Sequence, residues 1–472
     1  MFEIQLSVLT AEFLSRSGSR KWAQAPEEGY PSRTAMRKAW SILCDCPELA
    51  VDVARDADRI GLSVAPIVAD KPVETAIEGV AAGEPTALAL EGKIEADQIV
   101  QLAEAMRTKG AKVPLAIIGP QPLGLFHDLG LPAVHETGPM VAIAALLDTP
   151  TEHPWAATTK ELPAVDRVRL GDSMSHRADG RFLRIDDGLL AHQDEAGASR
   201  PIGTPRDVAT AVRAMRASHE ASRPKVPVVQ GVEADAVLDT ILGPRRALSD
   251  PASKAALGPY DVPLPLEELC ATPSRAASEA SRIGFPVRVA LASPDLRLWD
   301  HPDLVAEVFS AAQARDAYRQ IMALARSRSA DARLLGATVS AATMARTLLR
   351  VRMEPLPSGP VLAEIGFADP HGLASGDATQ TVLPATARAL ERVLHRLQGS
   401  SLLLEGNAQE RKQAVSAIGE VLMRLAAFVH QWRDQIEAVE VNPLAILVGG
   451  ELEIRQACVT VGDAFSRSLH TG

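Results

Sequence analysis

The chain has 472 residues, enough for about three domains with cores of their own. Hydrophobic residues make up 46% of it, ordinary globular usage that excludes disorder over most of its length. Only 4% of residues are aromatic and the net charge is -10, which leaves few stacking side chains for bases and argues against a nucleic-acid partner. The cysteines Cys44, Cys46, Cys270 and Cys458 give neither a disulfide framework nor paired zinc-ligand spacing, so they read as free thiols in a reducing compartment. The opening MFEIQLSVLTAEFL carries Glu3 and no basic start, and no run of about eighteen apolar residues occurs. The expectation is a cytoplasmic protein with no membrane span.

Residues 1–36 read as an N-terminal extension ending in the linker-like APEEGYPSRT. From 37 to 150, apolar runs alternate with amphipathic segments. SILCDC (41–46), LSVAPIV (62–68), TALALEG (86–92), VPLAIIG (113–119) and LPAVHE (131–136) have the character of strands. PELAVDVARDADRIG (47–61), ETAIEGV (74–80), ADQIVQLAEAMRTKG (96–110), PLGLFHDLG (122–130) and TGPMVAIAALLD (137–148) read as helices. This alternation predicts an α/β, flavodoxin-like, doubly wound parallel sheet.

In such a sheet the ligand site lies beyond the carboxyl ends of the strands, where a glycine-rich first turn lets backbone amides hold phosphate. Here that turn is Cys44-Asp45-Cys46-Pro47-Glu48. Pro47 suits the first helical position but removes a donor, and Asp45 and Glu48 put negative charge where an anion would sit. The turn reads as structural. His135, at the end of the last strand, reads as a surface or capping residue.

Residues 151–232 read as a connector or small insert. Spacing predicts a hairpin over 181–191, with RFLRI and LLA flanking Asp186-Asp187-Gly188. It also predicts a helix over 204–217, capped by Thr204 with Pro205 at its first position.

The remainder, 233–472, carries the informative motifs. The helix over 407–432 opens on Asn407-x-x-Glu410, a capping-box arrangement, and sets Val415, Ile418, Leu422, Leu425 and Val429 on one stripe. AVEVNPLAILVGGELEIRQACV (438–459) predicts two short strands, 438–441 and 452–459, joined through Gly449-Gly450. Glu440 and Asn442 are two apart and share a strand face. Carboxylate and amide oxygens side by side suit a hard cation such as magnesium.

V-E-V-N-P-L followed by a turn and a second strand resembles the closing hairpin of the ATP-grasp domain in ADP-forming (NDP-forming) acyl-CoA synthetases. These are the acetate–CoA ligase relatives of succinyl-CoA synthetase. ALSDPASKAALGPYDVPLP (247–265) resembles the family's opening L-S-E-x-E-A-K-x-L-L-x-x-Y-G-I-P-x-P, and TPSRAASEASRIGFPVRVALASPDL (272–296) resembles its next helix and strand. The order of elements over 37–150 is similar to one CoA-ligase domain of the same family. His135-Glu136-Thr137-Gly138 is similar to the His-Thr-Gly about the family's phosphorylated histidine, but Glu136 interrupts it.

The resemblance implies ATP with magnesium, and CoA, and it points to particular positions. Asn442 matches the family's magnesium asparagine, with Glu440 beside it, but the partner aspartate falls at or near Gln456. The strand lysine becomes Ala290, leaving Arg288 on the same strand face as a substitute phosphate cation. The His-Lys pair becomes Leu298-Trp299, two glycines become Asp303 and Leu304, and the later F-G-x-G-G reads Gly366-Phe367-Ala368-Asp369. Side chains at glycine positions obstruct close approach, and Asp303 repels phosphate.

The expectation is therefore a catalytically impaired homologue, acting as a scaffold, regulatory or partner subunit beside a protein partner or in a homo-oligomer. Leu298, Trp299 and Leu304 are expected to fill the cleft. Two alternatives stand beside it. One is an active ATP-dependent acid–thiol ligase using Arg288, Glu440 and Asn442. The other is a small-molecule sensor using the flavodoxin-like domain.

Overall fold

The computed structural model describes residues 39–147, 176–178, 181–186, 189–193, 199–219, 229, 232–368, 375–403 and 407–462. Strands β1 (Trp40–Cys44), β2 (Val64–Val68), β3 (Thr86–Glu91), β4 (Leu115–Ile118) and β5 (Ala133–Val134) form a parallel sheet in the order β2-β1-β3-β4-β5. Helices α1 (Pro47–Ile60), α2 (Pro72–Ala82), α3 (Ala96–Lys109), α4 (Gly124–Asp128) and α5 (Thr137–Leu147) follow the strands in turn, as the alternation predicts. In α1, Leu49, Val53, Ala57 and Ile60 recur at three and four and are buried. Pro47 occupies its first turn, and Gly61 ends it at φ 68°, a conformation strained for any residue with a Cβ. The turn between β1 and α1 has a structural role: the Asp45 carboxylate accepts a hydrogen bond from the Glu91 amide at 2.7 Å, tying the end of β1 to that of β3.

The next stretch carries strands of its own. β6 (His176–Ala178), β7 (Arg181–Asp186), β8 (Leu189–Gln193) and β9 (Ser199–Gly203) make an antiparallel sheet, in which β7 and β8 are the hairpin expected over 181–191. Helix α6 (Pro205–His219) follows, its start fixed by the Asp207 amide donating to Thr204 Oγ1 at 3.2 Å. Ile202, Val208, Ala211 and Val212 pack into one apolar core with α1 and α5.

After α7 (Ala234–Ile241), β10 (Arg246–Ala247) and α8 (Asp250–Leu257), the chain builds two antiparallel sheets. The smaller has the order β11-β14-β12-β13, from β11 (Glu267–Cys270), β12 (Val287–Ala292), β13 (Val305–Val308) and β14 (Gly336–Ala341). Its apolar side chains pack against α9 (Pro273–Ile283) and α10 (Ala311–Arg328). The larger contains β15 (Ala345–Pro355), β16 (Val361–Phe367), β17 (Ala378–Leu383), β18 (Ile436–Leu447), β19 (Leu452–Ile454) and β20 (Ala457–Val461). It runs β10-β20-β18-β15-β16-β17, with β19 on β18.

Helix α11 (Ala387–His395) and the long α12 (Ala408–Gln431) cover the larger sheet. The predicted capping box is present: Asn407 accepts from the Glu410 amide, and the Glu410 carboxylate accepts from the Asn407 amide. Ile418, Leu422, Leu425 and Val429 are fully buried, with Val415 packed beside them.

The closing segment departs from its predicted form. β18 does not stop at Val441 but continues through Asn442-Pro443 to Leu447, and its register against β15 shifts so that these two residues stand opposite Arg350. The return strand is split, β20 pairing with the first half of β18 and β19 with the second. Proline reads as a strand stop because it cannot donate to the ladder; here a bulge accommodates it.

The five-stranded sheet docks on the larger antiparallel one. Leu356 and Val382 share an apolar core with Leu90, Leu125 and Phe126, and the Asp128 carboxylate accepts from both Arg396 Nη atoms, at 2.9 and 2.5 Å. Among the described residues no helix is long and apolar enough to cross a membrane.

Candidate functional site

The two antiparallel sheets meet where β12 and the loop after it face β18, β20 and the link between β19 and β20. On β15, Leu349, Val351 and Met353 point into the core, so Arg350, Arg352 and Glu354 stand on the opposite face. Arg352 lies directly across from Glu440 on β18 and makes a close ion pair with its Oε1. The other oxygen, Oε2, is 3.0 Å from Arg297 Nη1, which comes from the loop after β12. No donor among the described residues is aligned for a hydrogen bond to Oε2, although the oxygen is buried. Burial opposes the charge on Arg352, yet pairing with Glu354 and Glu440 holds its pKa above the usual arginine range.

Gln456, at or near which the resemblance puts an aspartate, is 6% exposed. Its amide satisfies its surroundings when Nε2 donates to the Asn442 carbonyl at 3.1 Å and Oε1 accepts from Arg288 Nη2 at 2.6 Å. Arg288 Nη1 donates to the Arg455 carbonyl at 3.3 Å. Burial lowers the pKa of Arg288, an effect partly offset by Asp250 and Glu267. Thus Arg288 and Asn442, singled out separately in the sequence, are brought together through Gln456. Glu440, two residues from Asn442, is engaged by arginines on both of its oxygens.

Beside Arg288 lies a buried cation that the sequence reading missed. Lys254 on α8 reaches Asp250 at 3.0 Å, Glu267 on β11 at 2.7 Å and the Arg455 carbonyl at 2.9 Å. Burial raises the Glu267 pKa, against the pull of Lys254. Asp250 and Lys254 are four apart in a helix, a readable ion pair, but lysine is so seldom buried that the pair passes for a solvated one.

Between the sheets remains a cavity of about 20 Å³, lined among others by Asp250, Leu291, Arg297, Trp299, Gln456 and Cys458. That holds about one water molecule, whereas small-molecule sites span roughly 300–1,000 Å³. Leu298, Leu304 and Ala290 belong to the core of the smaller sheet; Leu298 also lines the cavity at the gap. Trp299 is half-buried at the gap, with the Arg297 guanidinium 5.7 Å from its ring centre.

These residues do not fit the magnesium nucleotide that the fold implies. A hard dication needs several anionic or neutral oxygens. Here Glu440, the carboxylate two residues from Asn442, is countered by Arg352 and Arg297, and Gln456 is an amide already bonded on both atoms. Among the described residues no cluster of three or more His, Cys, Asp or Glu side chains could hold a metal ion. Ala368 ends the described part of its loop, and Asp369 lies outside the described residues.

In the parallel-sheet domain, His135 is exposed and its Nδ1 is 2.9 Å from the Ile117 carbonyl, the capping arrangement expected of it. It borders an open pocket of about 420 Å³, shared with Asp52, Asp56, Arg59, Thr137 and Asp207. Cys44 is buried, which with the neighbouring Asp45 pushes its thiol up to about 12, so it carries no thiolate at neutral pH.

A small and a large antiparallel sheet facing each other across a cleft define an ATP-grasp architecture. A family model described as an ATP-grasp domain matches residues 240–457. The beta subunit of the ADP-forming acetate–CoA ligase II of Pyrococcus furiosus is 23% identical over 227 residues, 46% of this chain and 93% of that protein. The ADP-forming 4-hydroxybutyrate–CoA ligase of Nitrosopumilus maritimus is 22% identical over 227 residues, 47% of this chain but only 32% of that protein. The chain thus spans about a third of the second relative's length. Among solved structures, PH1788 of Pyrococcus horikoshii covers 48% of this chain and 98% of its own at 20% identity and a TM-score of 0.43. The dinucleotide-forming acetyl-coenzyme A synthetase 1 of Ca. Korarchaeum cryptofilum covers 49% and 100% at 19% identity and a TM-score of 0.44. Residues 240–457 match an ATP-grasp domain, and this region is similar to ADP-forming acyl-CoA synthetases, as the motifs imply.

Proposed function

We propose that this protein is a catalytically impaired homologue of the ADP-forming acyl-CoA synthetases that serves as a scaffold or partner subunit. The observation that carries this reading is the closed cleft. Its cavity is about 20 Å³, the Glu440 carboxylate is paired with Arg352 and Arg297, and the Gln456 amide is bonded to the Asn442 carbonyl and to Arg288. A relative named as a beta subunit supports a protein partner for this chain, or a second copy of it. The test is an assay for ADP release with acetate, CoA and Mg-ATP, run beside an active ligase. The reading expects none above background, and turnover abolished by Arg288→Ala would overturn it.

Two observations favour other readings. The buried Glu440 Oε2 without an aligned donor favours an active ligase with a rearranged site, in which Glu440 and Asn442 face magnesium and Arg288 faces phosphate. The pocket of about 420 Å³ beside His135 favours a small-molecule sensor built on the parallel sheet. The first predicts ADP release; the second predicts ligand binding that His135→Ala and Asp56→Ala both weaken.

A further inference from the structure

We infer that Arg297 is a built-in latch, a tethered cation from the smaller sheet's subdomain that holds the cleft shut by binding Glu440 on the larger sheet. This deepens the closed-cleft reading and rests on it. Glu440 divides its carboxylate between two guanidinium groups of different origin. Oε1 meets Arg352, the residue opposite it in its own sheet, and Oε2 meets Arg297 at 3.0 Å across the cleft. The Glu440 side chain is only 16% exposed in this arrangement, so solvent and salt screen the pair little. The ion pair therefore favours the closed arrangement over an open one in which Oε2 loses its partner.

The loop that carries Arg297 is fastened on both sides. Leu296 and Leu298 are buried in the subdomain core at 8% and 5% exposure. Asp295 accepts from Arg333 Nη2 at 2.7 Å, Arg333 Nε at 3.0 Å and the Arg333 amide at 2.7 Å. Trp299 lies under the guanidinium at 5.7 Å from its ring centre. Arg297 is presented to Glu440 by a pre-set loop, so little side-chain freedom is lost when the pair forms. In place of an exchangeable ion between the subdomains, the chain supplies its own.

Cys458 reports on the latch, because it lines the cavity and is 4% exposed. In a Cys46→Ser background, which removes the half-exposed thiol, the labelling rate of Cys458 by a small thiol reagent measures opening. Arg297→Gln and Glu440→Gln should each raise that rate about tenfold, and the double variant no further than either single. Arg297→Lys should keep the rate low, and Arg352→Gln, which removes only the partner within the same sheet, should leave it unchanged. An unaltered rate in Arg297→Gln, strictly multiplicative effects in the double variant, or an equal rise in Arg352→Gln would each overturn the latch. Since no nucleotide is involved, the outcome is separable from that of the parent reading. A parent protein that binds Mg-ATP refutes the closed cleft, whereas a nucleotide-silent protein with an indifferent Arg297 refutes the latch alone.

Discussion

Gln456 shows how an amide can tie two residues together where a metal ligand would stand open. An aspartate there would offer charge to a cation; the amide instead donates to Asn442 and accepts from Arg288. Gln456→Asp should not recover magnesium-dependent nucleotide binding, because the new carboxylate would pair with Arg288 and the cavity would stay near one water in size. Calorimetry on that variant checks this, and a magnesium-dependent binding heat would refute it. Trp299 offers a second test at this scale. Half-buried at the gap and stacked under Arg297, its loss in Trp299→Ala should cost about 2 kcal/mol, read by chemical denaturation. Unchanged stability with a lost protein complex would instead make Trp299 a docking residue.

Helix α4 shows how an element can join two domains. Its Asp128 is 6% exposed at the side chain and takes both Nη atoms of Arg396. Asp128→Ala should cost about 3–5 kcal/mol by leaving the guanidinium without its partner, measured in urea unfolding. Next to it, burial holds the His127 pKa below its ordinary 6.5, helped by Arg396, while its Nε2 stays 2.9 Å from the Ala133 carbonyl. As pH falls through 6.5, the unfolded chain takes up a proton that the folded chain refuses, so this contribution to stability is present above 6.5 and lost below it. The stability advantage of the parent over His127→Gln should therefore shrink between about pH 7.5 and about pH 5.5. An advantage that grows on acidification would contradict this sign.

Elements of this kind were legible in different degrees. The parallel sheet could be read because each strand is a short apolar run and each helix keeps a spacing of three and four, as in α1 and α12. The course of β18 could not, because Asn442-Pro443 has the signature of a strand end and the bulge opposite Arg350 is a property of the pairing. Arg297 and Lys254 were missed for a related reason. Their partners are fixed by tertiary contacts 143 and 13 residues away, and a charged residue read alone looks solvated.

At the scale of the whole molecule, a parallel α/β sheet, an antiparallel insert and an ATP-grasp domain are packed together through shared apolar cores. The positions at which the resemblance breaks down lie partly in the smaller sheet's core and partly at the gap between the sheets. Ala290 lies in the smaller sheet's core, Trp299 lines the gap, and Gln456 joins Arg288 to Asn442. On the proposed reading, the small cavity and the paired state of Glu440 and Gln456 are one change seen from two sides. The measurement that tests this most directly is calorimetric titration of the full-length protein with ATP, with and without magnesium. The account predicts no magnesium-dependent heat at millimolar nucleotide; saturable binding at micromolar ATP that disappears when magnesium is chelated would contradict it.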